Sequence, residues 1–130
     1  MKALLLMVGG ALGTYARWWI GGWFAAQPWT RGLPMGTFVI NVSGSFLLGA
    51  AAVLILERLP PEHQDWYLLF GTGFCGGYTT FSTFAYETFD LAVRQGSWWL
   101  ALANVVVSVV GGFAAVFLAV KLAGGIFSQP

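Results

Sequence analysis

The sequence predicts an all-α integral membrane protein of four transmembrane helices, the third of them broken. Three observations predict it. First, 58% of the 130 residues are hydrophobic and only 8% are charged, against about 25% charged in soluble domains, and the mean hydropathy is +0.74. Second, four segments, 3–24, 35–56, 66–93 and 98–120, each carry an apolar run of the roughly 20 residues a helix needs to cross hydrocarbon. Third, residues 70–86 of the third segment read FGTGFCGGYTTFSTFAY, with glycines and hydroxyls throughout. Lipid supplies no hydrogen bonds, so broken backbone and bare hydroxyls persist at membrane depth only inside protein or along a polar path. Such a helix points to something small and polar held within, or passing through, the membrane.

Residues 1–130 form one domain, with no room for a soluble catalytic module beside the spans. The connections are short, and Pro28, Pro34, Pro60 and Pro61 all fall in them, where a missing backbone donor costs little. Trp23, Trp29, Trp66, Tyr67, Trp98 and Trp99 cluster at span ends, as amphipathic rings at headgroup level should. A net charge of +1 gives no reason to expect nucleic acid. Cys75 is the single cysteine and cannot close an internal disulfide. Lys2 and the apolar run after it imitate a leader peptide, but the run continues past Gly13 and Arg17 without a small-residue cleavage pattern.

The first span has one charge, Arg17, about two-thirds along. Arg17 is read as snorkelling to the headgroups, capping a neighbouring helix end, or setting a positive potential at a pore mouth. The second span sets Thr37, Asn41, Ser45 and Gly49 at intervals of four, on one helix face. A lone Asn would be read as interhelical glue; a four-residue stripe favours a polar track. The third span weakens at Gly71, Gly73, Gly76 and Gly77, and Gly76–Gly77 is the expected break. A break frees carbonyls at the negative end of a half-helix, which suits a hard cation such as Na⁺. Beyond it, Thr79, Thr80, Ser82 and Thr83 offer hydroxyls, and Phe81 and Phe84 project to nearly one face. A phenyl edge is electropositive, so edge-on rings can face an anion, although two isolated phenylalanines in a span would ordinarily be packing residues. The fourth span repeats the face pattern with Asn104, Ser108 and Gly112. Gly9 and Gly13, like Gly73 and Gly77, read as small-residue packing positions. Glu57, Glu62, Asp65, Glu87 and Asp90 are placed at span ends or in loops.

With four spans both termini share one side. Lys2, Arg58 and Lys121 lie there, and Arg31 and Arg94 lie opposite, with Arg17 nearer that opposite side. Orientation follows Lys/Arg asymmetry, and this chain has almost none. It therefore either inserts both ways round or follows a weak residual bias. Insertion both ways opens the route to an antiparallel dimer, and four short helices enclose so little space that a through-path calls for an oligomer.

The combination resembles the Fluc/CrcB family of fluoride channels. The matching stretches are GGALGTYARW at 9–18, GTFVINVSGSFLLG at 36–49, GFCGGYTTFSTF at 73–84 and ALANVVVSVVGG at 101–112, in order through all four spans. The resemblance implies an antiparallel, dual-topology homodimer with two fluoride pathways in a prokaryotic inner membrane. It implies a structural Na⁺ at the dimer centre, held by the backbone carbonyls of Gly76 and Thr79. It assigns Phe81 and Phe84 as the fluoride-contacting rings, Asn41 as the orienting amide, Thr80, Ser82, Thr83 and Ser108 as track hydroxyls, and Arg17 to the vestibule. The fourth span departs somewhat from its relatives at Asn104 and Gly112. The implied activity is passive, fluoride-selective export that lowers cytoplasmic fluoride and confers resistance.

The chemistry of the residues accords with that activity. Fluoride is small and strongly hydrated, so a pathway must replace its water with amide, hydroxyl and ring-edge donors. HF enters cells neutral, dissociates inside, and the trapped anion leaves down its gradient under an inside-negative potential. The alternative is a small dual-topology multidrug-type exporter, which needs an acid in the first span where this chain has only Arg17. An enzyme is not expected: one His, one Cys and no nucleophile–base pair give catalysis no foothold.

Overall fold

The structure, a computed structural model, describes residues 1–127. Every regular element among them is helical. α1 (Lys2–Ala25) is continuous, α2 (Met35–Ala51) passes directly into a π-helical end at Ala52–Glu57, and α5 (Trp98–Phe127) is the longest element. Three helices, over Lys2–Ala25, Met35–Glu57 and Trp98–Gly124, are long and apolar enough to cross a membrane. The turns leading into α2 and α5 use Gly32 (φ 77°) and Gly96 (φ 67°), left-handed positions that glycine occupies without a Cβ clash.

The stretch from 68 to 94 is built differently. Leu68–Cys75 is π-helical, α3 (Gly76–Tyr78) adds three residues, α4 (Phe81–Phe89) follows, and Asp90–Arg94 is again π-helical. Between α3 and α4 the chain is extended, with ψ 160° at Thr79 and φ −151°, ψ 115° at Thr80. No single helix here reaches spanning length, which is why three helices do so rather than four.

The location of the non-helical residues corrects the sequence expectation. Gly76 and Gly77 are helical, and the chain leaves the helix at Thr79. Gly77 serves packing instead: a Cβ there would lie 3.1 Å from Gly10 Cα. The extended pair is threonine, a β-branched residue at ease in extended backbone.

The glycines set how the elements pack. A Cβ on Gly9 would sit 2.9 Å from the Phe74 nitrogen, and one on Gly13 would sit 2.8 Å from the Tyr78 nitrogen. Thus α1 and residues 69–78 touch backbone to backbone through Gly9, Gly13, Gly73 and Gly77. α2 also meets α5 through glycines, with Gly49 against the Val116 backbone and the Ala119 side chain, and Gly111 receiving the Val42 and Phe38 side chains. The buried set is rich in alanine, including Ala92, Ala101, Ala115, Ala119 and Ala123, while large side chains such as Phe113 and Phe117 point outward. Small residues inside and large apolar residues outside is the arrangement that lipid favours.

The two ends of the bundle are tied separately. At one, Lys2 pairs with Asp65 at 3.2 Å and Arg58 donates to the Gly124 carbonyl at 3.3 Å. At the other, Leu33 and Pro34 share a cavity wall with Leu91 and Gln95.

Candidate functional site

Extended backbone at Thr79–Thr80 forfeits helical hydrogen bonds, and each unpaired group in hydrocarbon costs several kcal/mol. Side chains from α1 and α2 replace them. The Asn41 amide donates from Nδ2 to the Thr80 carbonyl (3.0 Å), and its Oδ1 accepts from the Thr80 N–H (2.8 Å). Asn41 thus pairs with Thr80 as a neighbouring strand would. Arg17 Nη1 donates to the Thr79 carbonyl at 3.1 Å, so of its three sequence readings the helix-end cap is the contact observed. The Thr80 hydroxyl then caps α4 by accepting from the Thr83 N–H at 3.2 Å.

Hydroxyls concentrate at this cap. Thr80 Oγ1 lies 3.0 Å from Thr83 Oγ1 and 3.3 Å from Ser82 Oγ. Ser82 and Thr83 are exposed. Phe81 and Phe84 stand beside them with centroids 5.8 Å apart and planes at 49°, and Phe81 is 80% exposed. On the other side of the extended pair, no hydrogen bond from another element or a side chain reaches the carbonyls of Gly76, Gly77 or Tyr78 among the described residues.

Two cavities flank Thr80. One, of about 770 Å³, is lined by Arg17, Arg31, Thr37, Thr80, Thr83 and Glu87 among others. The second, of about 470 Å³, is lined by Asn41, Ser45, Thr72, Gly76, Thr79, Thr80 and Phe81 among others. The polar stripe of α2 therefore runs from one cavity to the other, with Thr37 in the first and Asn41 and Ser45 in the second. Thr80, braced by Asn41, belongs to both walls.

The α5 face is not brought to these cavities within one chain. Ser108 Oγ is 3.5 Å from Asn104 Oδ1, and Asn104 Nδ2 donates to Thr88 Oγ1 at 2.8 Å. Gly112 faces Ser45, whose hydroxyl would lie 3.5 Å from a Cβ there. Phe84, half-buried, lines neither cavity.

Comparison with known proteins decides the family. The family model "CrcB-like protein, Camphor Resistance (CrcB)" matches residues 4–120. The chain belongs to the CrcB family. Similar proteins include the "Fluoride-specific ion channel FluC" of Solibacter usitatus, 48% identical over 123 residues that cover 95% of this chain and 98% of that protein. The proteins of the same name from Methanocaldococcus jannaschii and Pyrococcus horikoshii are 44% and 43% identical, covering 97% and 92% of this chain and 97% and 93% of theirs.

Two polar residues of this CrcB protein escaped the sequence reading. Glu87, expected at a span end, lines the larger cavity beside Thr37, and its Oε2 is buried without a hydrogen-bond partner among the described residues. Its spacing from Thr83 puts both on one face of α4, a signal present in the sequence. Tyr78, 5% exposed, stacks on Phe74 (5.6 Å) and shares a hydrogen bond with Ser43 at 2.9 Å. This ties α3 to the face of α2 opposite Asn41, and the apolar surroundings of Ser43 gave no hint of it.

Proposed function

We propose that this CrcB-family protein is a passive, fluoride-selective channel that lets cytoplasmic fluoride leave a prokaryotic cell across its inner membrane, and so confers fluoride resistance. The observation that carries the reading is the pair of cavities meeting at Thr80, mostly apolar in their walls, where hydroxyls, the Asn41 amide and the Phe81 ring converge. The second amide N–H of Asn41, the hydroxyls of Ser82 and Thr83 and the positive edge of the Phe81 ring are the donors for an anion stripped of water, and Arg17 and Arg31 in the larger cavity attract anions to its mouth. The printed names of the relatives, fluoride-specific ion channels rather than enzymes, support the same reading.

In this reading Asn41 orients the path, Phe81 and Phe84 meet the ion edge-on, Thr80, Ser82, Thr83 and Ser108 supply hydroxyls, and Arg17 sets the vestibule potential. The working unit is an antiparallel homodimer, and residues 66–93 make the fourth crossing of each subunit. The exposed Ser82 and Thr83 support this, since their hydroxyls bond only within the Thr80 cluster, and lipid cannot satisfy the hydrogen-bonding capacity left over whereas a second copy can.

A structural Na⁺ at the dimer centre fits the donor chemistry. The Gly76 carbonyl has no partner from another element or a side chain among the described residues, and Thr79's accepts only one hydrogen bond, from Arg17, which leaves a lone pair free. One chain offers too few oxygens for a hard cation, so two copies would have to share it. Bound there, the ion would supply the positive charge that the negative, carbonyl-bearing end of α3 favours.

Efflux from proteoliposomes, followed in parallel with fluoride and chloride electrodes, tests the proposal. Rapid fluoride release with chloride retained is expected. Fluoride held as tightly as in protein-free vesicles would overturn it.

A further inference from the structure

α4 carries the phenylalanine pair, yet none of its residues is buried in its own subunit. Packing fixes only its continuation, where Leu91 and Ala92 are buried with Ala101, and polar ties hold the turns that bear the rings. One tie is the Asn41–Thr80 clasp at its start. The other lies at its far end and involves a residue to which the proposed pathway gives no task. Asn104 on α5 donates from Nδ2 to the Thr88 hydroxyl at 2.8 Å, and that hydroxyl donates in turn to the Phe84 carbonyl at 2.7 Å. The chain of bonds runs from α5 straight to the backbone of the phenylalanine itself.

We infer that Asn104 is a positioning residue for the conduction path: through Thr88 it holds the turn of α4 that bears Phe84, as Asn41 holds the turn that begins at Phe81. The inference rests on the fluoride-channel reading for its functional consequence, but not for its geometry. Three features single out this bond. It is shorter than the 3.5 Å contact between Ser108 and Asn104. It lies beside an otherwise apolar cavity of about 230 Å³, whose walls include Leu91, Leu100 and Val107, where an unpaired amide has nowhere else to donate. Finally, the Thr88 proton is committed to the Phe84 carbonyl, so Thr88 receives from Asn104 as a pure acceptor, which fixes the direction of the whole relay.

The test is a double-mutant cycle with Thr88→Val and Asn104→Leu, made singly and together, with Thr88→Ser as the conservative variant. Thr88→Val changes shape least and keeps the test decisive if Asn104→Leu assembles poorly. Two readouts are taken on purified dimers: fluoride efflux, and amide hydrogen exchange over residues 84–92. Each single variant should exchange faster over that segment and conduct about threefold or more slowly, in line with the strength of an interhelical hydrogen bond in a membrane. The double variant should be no worse than the worse single, and Thr88→Ser should match the unmodified protein. Unchanged exchange in Thr88→Val, or losses that multiply in the double variant, would overturn the inference. Wild-type protein that passes no fluoride would instead sink the channel reading, while the exchange measurement still decides the positioning role.

Discussion

Asn41 does at residue scale what a β-strand neighbour does in a sheet, accepting from and donating to the same residue. Substituting Asn41→Leu leaves the Thr80 N–H and C=O without those partners. Stranding buried polar groups costs about 1–3 kcal/mol each, so the variant should melt earlier in detergent and lose most fluoride efflux. Retention of both would mean that water or lipid headgroups reach the extended pair. The phenylalanines are different, because their rings contribute no hydrogen bond to the scaffold. Phe81→Ile combined with Phe84→Ile should therefore abolish fluoride efflux while size-exclusion chromatography reports the same elution as for the unmodified protein. Normal efflux from that double variant would remove ring edges from the mechanism. Asn41 was visible in the sequence because a buried amide is costly and the stripe it belongs to is periodic. Glu87 was not, because its place at the end of an apolar run suggested headgroups, whereas the interruption at Thr79–Thr80 redirects α4 and carries Glu87 into the cavity wall.

Among the elements, α1, α2 and α5 were legible as long apolar runs ended by turn residues, and their bounds fall within a few residues of the expected spans except that α5 runs further. The interruption of the third segment was misplaced by the glycines. Gly76–Gly77 looked like the weak point because glycine is the poorest helix former there, but Gly77 is held against the backbone of Gly10, and Gly76, with nothing within 4 Å of an added Cβ, stays helical beside it. Sequence alone does not reveal which helix face has a partner, and so cannot say whether a glycine bends or packs. A paired substitution separates the two roles. Gly13→Ala pushes a Cβ into the backbone of Phe74 and Tyr78, whereas a Cβ added at Gly22, also on α1, would meet nothing within 4 Å. Overpacking of that kind costs about 1–3 kcal/mol, so Gly13→Ala should lower the thermal midpoint of the purified protein clearly. Gly22→Ala should leave it unchanged or raise it. Equal behaviour of the two would show that α1 does not rest on residues 69–78 by backbone contact.

For the whole molecule the question is whether two copies come together in opposite orientations, as proposed, and the charges bear on it. Lys2, Arg58 and Lys121 mark one end of the chain and Arg31 and Arg94 the other, consistent with the separate ties at the two ends of the bundle. Because positive charge in short loops selects orientation, a difference this small leaves insertion easy to tip. Glu62 and His63 lie exposed in the loop at the Lys2 end. Glu62→Lys with His63→Lys raises that end to five basic residues against two, or three with Arg17, and should hold it on the cytoplasmic side. Gln27→Lys with Gln95→Lys loads the opposite end and should invert the protein. If the conducting unit needs one copy of each orientation, neither variant alone should pass fluoride in cells or vesicles. Coexpression of the two should restore efflux, because each then supplies the orientation the other lacks. A reporter fused to the C-terminus checks the orientation independently of flux. Should either variant, shown by the reporter to insert one way only, conduct as well as the unmodified protein, the path would be completed by parallel copies or by one chain, and the antiparallel dimer would have to be abandoned.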